Sequence, residues 1–393
     1  MNDLRQQPSW VVFLGKFHRF EVGEGDKGWE LIVSGERIQG EGKSSMASLS
    51  RAITLTKMCV SHVPQRYVLP PSHRPNTFPP LMNHRLPIID LSSLLNPSLR
   101  SQTMDEIRIA SKEMGFFQVI NHGVPPSVVK GALDAAVEFF NLSMEEKMVH
   151  ASDNVHEPVR YGTSMNHVKD EFQFWRDFIK HYSHPLSSWI HLWPSNPPSY
   201  KKKMGSYTKA MQVLQKQLME VVLESLGLNP NYLQDEVESG SQVLAINCYP
   251  ACPEPELTLG MPPHSDFGFL TVLLQSCPGL QVLDHNHNWL SVPVVEDALI
   301  VQLGDQLEVM SNGQYKSVVH RVTVSSEKKR FSIASLHSLA LDKKIGPAEK
   351  LVDQEHPAAY EEFSFKDFLD YISNNDITTG KRFIDSLKKK NHP

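Results

Sequence analysis

His264 and Asp266, in the segment PPHSDFG, and His320, in KSVVHRV, are the side chains best suited to hold a metal ion. Two imidazoles and one carboxylate occupy one face of a ferrous ion and leave the opposite face open for reactants. In an extended segment residues i and i+2 point the same way, so His264 and Asp266 can aim at one ion from a single strand end. His320 must then arrive from a second strand. Arg330 and Ser332, again at i and i+2 in KKRFSIAS, follow on a third. A thiolate zinc site is not expected, because the chain has no C-x-x-C pair. Taken singly, each piece has an ordinary reading: His-x-Asp is common, His320 suits a locally bonded strand histidine, and Arg330 beside Lys328 and Lys329 suits a solvated charge. Their order along the chain is what points to a metal centre.

Other stretches extend the pattern. They are LPIIDLSSL (Leu86 to Leu94), GFFQVINHGVP (Gly115 to Pro125) and NCYPACPEPELTLGMPPHSDFG (Asn247 to Gly268). With these motifs the chain, over about residues 60 to 385, resembles the plant 2-oxoglutarate- and Fe(II)-dependent dioxygenases of the flavanone 3-hydroxylase-like and downy-mildew-resistance-type group. The resemblance implies a mainly β fold with flanking helices, a double-stranded β-helix (jelly-roll) core and an N-terminal helical region. It implies Fe(2+) as cofactor, held by His264, Asp266 and His320 as catalytic ligands. It also implies 2-oxoglutarate on two coordination positions through its C1 carboxylate and C2 ketone, O2 on the last, and ascorbate as reductant. The products would be succinate, CO2 and a hydroxylated or desaturated small plant metabolite. Arg330 fits the distal carboxylate of 2-oxoglutarate, because a guanidinium offers a planar fork. Ser332 adds a hydroxyl donor, Tyr249 is the matching third donor, and Asn247 would lie nearer the metal.

The substrate is less legible. Candidates are phenolic or flavonoid-like compounds, salicylate-like acids, indoles and terpenoids. Many flavonoid-modifying relatives carry an aromatic residue six positions after the cofactor arginine, where this chain has Leu336. Phe116, Tyr161, Phe174 and Phe178 are candidate pocket walls. Gly268 should relieve crowding near the metal loop, Leu273 and Leu280 should be core, and Arg321 should point outward beside His320. His122, His285 and His287 sit in loop contexts and are not expected to be ligands. Two other classes compete with an enzyme: a catalytically silent small-molecule binding protein on the same fold, and a structural jelly roll. The silent binder should have lost a ligand or the arginine, and the structural protein needs no Arg-x-Ser.

The chain has 393 residues, 40 % hydrophobic and 21 % charged, with net charge −5. That is ordinary for a globular protein. No long basic run occurs except Lys388 to Lys390, so a nucleic-acid partner is not expected. The apolar runs are too short to span a bilayer, so no membrane partner is expected either. Four cysteines show neither a disulfide framework nor zinc spacing and suit a reducing compartment. These features predict a cytoplasmic monomer acting on a small-molecule substrate. The alternative is a plastid protein if translation starts at Met46, because MASLSRAITLTKM lacks acids and reads like a transit peptide.

The elements that must position the site fall into four stretches. Residues 1–80 read as a flexible extension and linker, 86–200 as the N-terminal dioxygenase region, 239–340 as the Fe(II)/2-oxoglutarate jelly roll, and 341–393 as a C-terminal helical segment and tail. Helices are predicted after Ser101, after Pro126 and over about Tyr200 to Leu226 from their apolar spacing. From Val243 the pattern changes to short strands: VLAINCY, FLTVLLQ, LQVL, ALIVQL, KSVVHRV and FSIASLH. The segment FSFKDFLDYISNN should form a helix that covers the barrel mouth.

Overall fold

The structure, a computed structural model, describes residues 51–75, 86–164, 170–376 and 381–389, together with strand backbone between residues 10 and 40. In that N-terminal stretch β1 (Trp10–Phe13), β2 (Arg19–Val22), β3 (Trp29–Val33) and β4 (Glu36–Gly40) pair in order as an antiparallel sheet. The sequence reading had expected only a flexible extension there.

Two further sheets form the body. The larger has eight strands in the order β5-β6-β14-β11-β16-β9-β8-β7. These are β5 (Ile88–Asp90), β6 (Phe116–Ile120), β7 (Val159–Gly162), β8 (Asp177–His184), β9 (Ser241–Tyr249), β11 (Leu270–Gln275), β14 (Leu299–Leu303) and β16 (Arg330–Ser338). The smaller runs β10-β15-β12-β13, from β10 (Met261–His264), β12 (Leu280–Leu283), β13 (Trp289–Ser291) and β15 (His320–Val322). Except for the parallel pair β5–β6, neighbours are antiparallel.

Strand alternation divides the large sheet into two faces. Leu244, Ile246 and Cys248 of β9 and Phe331 and Ile333 of β16 pack outward into a cluster with the helices Pro126–Asn141 and Tyr200–Ser225. The long helix buries Tyr200, Met204, Tyr207, Met211, Leu214, Leu218 and Val222, a stripe at three- and four-residue spacing. The intervening strand residues, Ala245, Asn247 and Tyr249 of β9 and Arg330, Ser332 and Ala334 of β16, face the opposite way and line a cavity between the sheets. Leu273 of the large sheet and Met261, Leu280 and Val322 of the small one belong to a second apolar cluster beside it.

One expectation is corrected. Residues 51–75 are not a linker. Helix Ala52–Lys57 and the 3-10 turns Gln65–Tyr67 and Pro71–His73 are part of the body. Ala52, Leu55, Val63 and Tyr67 are buried against Trp175 and Cys252, and Trp175 meets the Tyr67 ring edge-on at 5.1 Å. The prolines stiffen this strap, and its interleaved apolar side chains give it something to bury. Residues 76–80 of the expected linker lie outside the described residues.

Candidate metal and co-substrate site

β10 and β15 pair so that His264 faces His320 directly across the ladder. Their ring centroids are 4.1 Å apart. Each Nε2 lies 3.8 Å from the same Asp266 Oδ1. That separation is shorter than two metal–ligand bonds of about 2.1 Å laid end to end, so one ion can touch both atoms of either pair. Each imidazole turns its Nδ1 to a backbone carbonyl, His264 to Pro262 O at 2.8 Å and His320 to Val318 O at 3.2 Å. A carbonyl accepts only from N–H, which leaves each Nε2 with its lone pair aimed at the centre. Burial, and then the neighbouring His320, push the pKa of His264 down, which favours the neutral ring that can bind a metal. Among the described residues these three form the one group of three or more His, Cys, Asp or Glu whose ligand atoms lie within 4.8 Å of one another.

The loop behind the ligands is tightly held. Asp305 N donates to Asp266 O at 2.7 Å. A Cβ on Gly268 would stand 2.3 Å from His337 O, so this position tolerates no side chain. That agrees with the role expected for it.

Register places the other predicted residues together. Arg330 pairs with Tyr249 and Ser332 with Asn247 across β16 and β9. Arg330 is 3 % exposed. Its Nε donates to Cys277 O (3.1 Å) and its Nη2 to Gln275 Oε1 (3.0 Å), and its guanidinium lies 5.0 Å from the Tyr249 ring centroid. Nη1 has no partner. A buried cation without a carboxylate is costly, and among the described residues no acid pairs with Arg330. Its position therefore suits an anionic ligand. Asn247 bridges the two ends of the site: Oδ1 accepts from Arg176 Nη1 at 3.1 Å and Nδ2 reaches Ser332 Oγ at 3.4 Å.

All seven predicted residues line one cavity of about 1110 Å³ including its open mouth. Leu336 also faces it, so no aromatic ring stands at that position. Rings come instead from Phe178, as expected, and from Phe267, Phe365 and Phe368. The C-terminal segment forms the expected helix, Phe365–Asn374, and its Phe365, Phe368, Leu369 and Ile372 line the cavity. Phe116, Tyr161 and Phe174 do not line the cavity; each packs in an apolar cluster. Leu273 and Leu280 are buried, and both also line the cavity.

Two readings need correction or addition. Arg321 does lie on the strand face away from His320, but it is buried: its Nε donates to Gln281 Oε1 (2.8 Å) and its guanidinium sits 4.2 Å from the Trp289 ring centroid. The Trp289 side chain, from β13 of the same sheet, covers it on that face. The sequence reading also missed three cations in the cavity wall, Arg160, Arg176 and Lys180. The signal was available in WRDFIK, where Arg176, Phe178 and Lys180 alternate at period two.

Comparison with known proteins agrees with this geometry. Residues 240–338 match the model of the 2OG-Fe(II) oxygenase superfamily. Residues 86–196 match that of the non-haem dioxygenase in morphine synthesis N-terminal region. The chain is 45 % identical to 2-oxoglutarate-dependent dioxygenase 21, chloroplastic, of Oryza sativa subsp. japonica, over 81 % of this chain and 93 % of that protein. It is 43 % identical to flavanone 3-dioxygenase 3 of the same organism, over 77 % and 93 %. The solved structure of JOX2 in complex with 2OG, Fe and JA aligns with a TM-score of 0.76 at 31 % identity, over 86 % of this chain and 98 % of that one.

Proposed function

This chain belongs to the 2OG-Fe(II) oxygenase superfamily, and we propose that His264, Asp266 and His320 hold its iron while Arg330, Ser332, Tyr249 and Asn247 seat 2-oxoglutarate. The protein is a 2-oxoglutarate-dependent dioxygenase of the plant group that acts on specialised metabolites. It hydroxylates or desaturates a small molecule with release of succinate and CO2. The observation that carries the site assignment is the placement of an unpaired, buried guanidinium in the same cavity as three converging metal-ligand side chains.

When bound, the ferrous ion supplies the centre at which 2-oxoglutarate and dioxygen are activated toward a substrate C–H bond. The protein's own part is positioning and exclusion of water. The carbonyls of Pro262 and Val318 hold the two imidazoles with Nε2 forward. Asp266 supplies one negative charge to the ion. Arg330 would receive the distal carboxylate of 2-oxoglutarate through its unpartnered Nη1, with the Tyr249 ring beneath the guanidinium and the Ser332 hydroxyl one rung along. Asn247 Nδ2 holds the Ser332 hydroxyl in place. Phe365, Phe368, Leu369 and Ile372 roof the remaining volume with apolar surface, which suits a substrate that is largely apolar.

Because all the ligands and the arginine are present, the enzyme reading stands over the silent binder. Phenolic substrates lead, supported by the similarity to a flavanone dioxygenase; the rings of Phe178, Phe267, Phe365 and Phe368 take the place of the one absent at Leu336. We place the protein in the cytoplasm as a monomer, with the plastid as a second reading favoured by the chloroplastic relative. No helix among the described residues is long and apolar enough to cross a membrane. The function is tested by measuring succinate formed from 2-oxoglutarate with Fe(II) and ascorbate against a panel of flavanones, phenolic acids, indoles and terpenoids. One compound should raise succinate release and yield an oxidised product in equal amount. Absence of any 2-oxoglutarate turnover would overturn the reading.

A further inference from the structure

Arg160 of β7 and Lys180 of β8 are direct cross-strand partners, and both face the cavity that contains the metal ligands. Like charges directly opposite one another destabilise a sheet pair. The cavity carries a surplus of the same sign: Arg160, Arg176, Lys180 and Arg330 line it against one carboxylate, Asp266. A ferrous dication and the 2-oxoglutarate dianion cancel each other, so loading the site leaves that surplus in place. Arg330 is committed to the co-substrate. Arg176 donates to Asn247 Oδ1, and its guanidinium and that of Arg160 both lie over the Phe178 ring, at 4.8 and 5.4 Å. Arg160 donates to the carbonyls of Ser152 and Ser164, and Asp153 and Asp170 lie near enough to favour its charge.

Lys180 differs from these. Its Nζ donates to Val155 O at 2.6 Å, and no ion pair to it occurs among the described residues. An ammonium has three donors. In front of it the same rung of the sheet continues through Ala245 and Ala334. Their methyl groups leave a low floor leading from Lys180 across the sheet.

From this arrangement we infer that Lys180, backed by Arg160, is the seat for a carboxylate on the primary substrate, whose apolar body lies over Ala245 and Ala334 under the rings of the C-terminal helix. The substrate class is therefore an organic acid with an apolar body. The electrostatics agree with the geometry: burial and then Arg160 hold the Lys180 pKa down to about 7, against a smaller opposing effect of Glu157, and an anion beside it relieves that penalty. The inference rests on the dioxygenase reading, which supplies the iron and the co-substrate on the other side of the cavity.

The test uses the full chain loaded with Mn(II) and saturating 2-oxoglutarate, so that Arg330 is occupied. Calorimetric titration compares 3-phenylpropanoate with neutral 3-phenylpropanamide. The acid should bind the wild type about tenfold or more tightly than the amide, the size of a charge-assisted hydrogen bond. Lys180→Met should abolish that preference, Lys180→Arg should keep most of it, and both variants should bind 2-oxoglutarate like the wild type. Equal binding of acid and amide, an undiminished preference in Lys180→Met, or no binding of the acid to the wild type at millimolar concentration each overturns the inference. Succinate release from the Fe(II)-loaded wild type separates the two claims: its absence defeats the dioxygenase reading, while its presence without acid preference defeats only the assignment of Lys180.

Discussion

Phe365 stacks flat on Phe267, with ring centroids 4.1 Å apart and planes 6° from parallel. Phe267 follows Asp266 in the chain, so this contact fastens the C-terminal helix to the loop that carries a proposed iron ligand. The helix is well founded locally: Ser364 caps its first turn and accepts from Asp367 N, while Asp367 Oδ2 accepts from Ser364 N. Phe365→Leu keeps most of the apolar volume and removes the stack, which costs about 0.5–1.5 kcal/mol. The expected result is a small fall in melting temperature and a raised KM for the primary substrate, with the KM for 2-oxoglutarate unchanged. Steady-state kinetics with each reactant varied in turn checks the split.

Arg330→Lys keeps the charge and loses the fork. A lost charge-assisted hydrogen bond is worth ~1.5–3 kcal/mol, so the KM for 2-oxoglutarate should rise about ten- to a hundredfold. Arg330→Ala should do worse, because the distal carboxylate would be buried without a partner. Titration of the Mn(II)-loaded variants with 2-oxoglutarate measures this without turnover. Intact binding in Arg330→Ala would place the anchor elsewhere.

The N-terminal strap gives a paired prediction. Arg51 lies 4.7 Å from the Tyr161 ring centroid, and the Tyr161 hydroxyl donates to buried Asp177 at 2.5 Å. Burial raises the Asp177 pKa, and Arg51 is the largest influence opposing that shift. Deleting residues 1–45 should leave melting temperature and activity nearly unchanged, whereas deleting residues 1–75 should lower the melting temperature clearly. Arg51→Met alone should lower the melting temperature, because it removes the cation beside the Tyr161 ring and the largest charge offsetting the burial of Asp177, and Asp177→Asn in the same chain should recover part of the loss. Equal melting temperatures for the two truncations would show that the strap contributes nothing.

Asp305 makes stability depend on pH. Burial pushes its carboxyl up to about 7, against donors Ser317 and Ser265 and the charge of Arg382, with Glu308 acting in the same sense as burial. The folded state then keeps a proton that the unfolded chain releases near its ordinary value. The stability contributed is fully present below about pH 4 and is lost as pH rises toward 7, at a slope of about 1.4 kcal/mol per unit at most. Thermal melts of metal-free protein from pH 4 to 8 should show this slope in the wild type and a flatter profile in Asp305→Asn. Parallel profiles would remove Asp305 as its source.

The parts of the site that were legible in the sequence share one property: they are pairs at i and i+2, Arg330 and Ser332 along β16, and His264 at the end of β10 with Asp266 in the loop that follows. His264 with Asp266, and Arg330 with Ser332, declare their common direction through spacing alone. The strands from Val243 onward were equally readable, because apolar runs alternate with Gly, Pro and Asn turns. β7 and β8 were missed because β7 has only four residues and β8 buries the polar Asp177, His181 and Ser183 among its apolar side chains. The alternation in WRDFIK gives the direction of Lys180, but its pairing with Arg160 depends on the β7–β8 register, which no local pattern encodes. The strap at 51–75 was hidden for a different reason. Its prolines suggest an extended linker, and only the tertiary partner, Trp175, shows what Tyr67 and Leu55 bury against. Arg321 was assigned to the right face of β15, but the cover provided by Trp289 comes from another strand.

The central claim is that His264, Asp266 and His320 hold the iron at which 2-oxoglutarate is consumed. The most direct measurement is succinate formation from 2-oxoglutarate by Fe(II)-loaded wild type and by His264→Ala, Asp266→Ala and His320→Ala, alongside iron content and melting temperature. The account predicts succinate from the wild type only, with each variant folded, depleted of iron and inactive. Full succinate formation in any folded variant would contradict it.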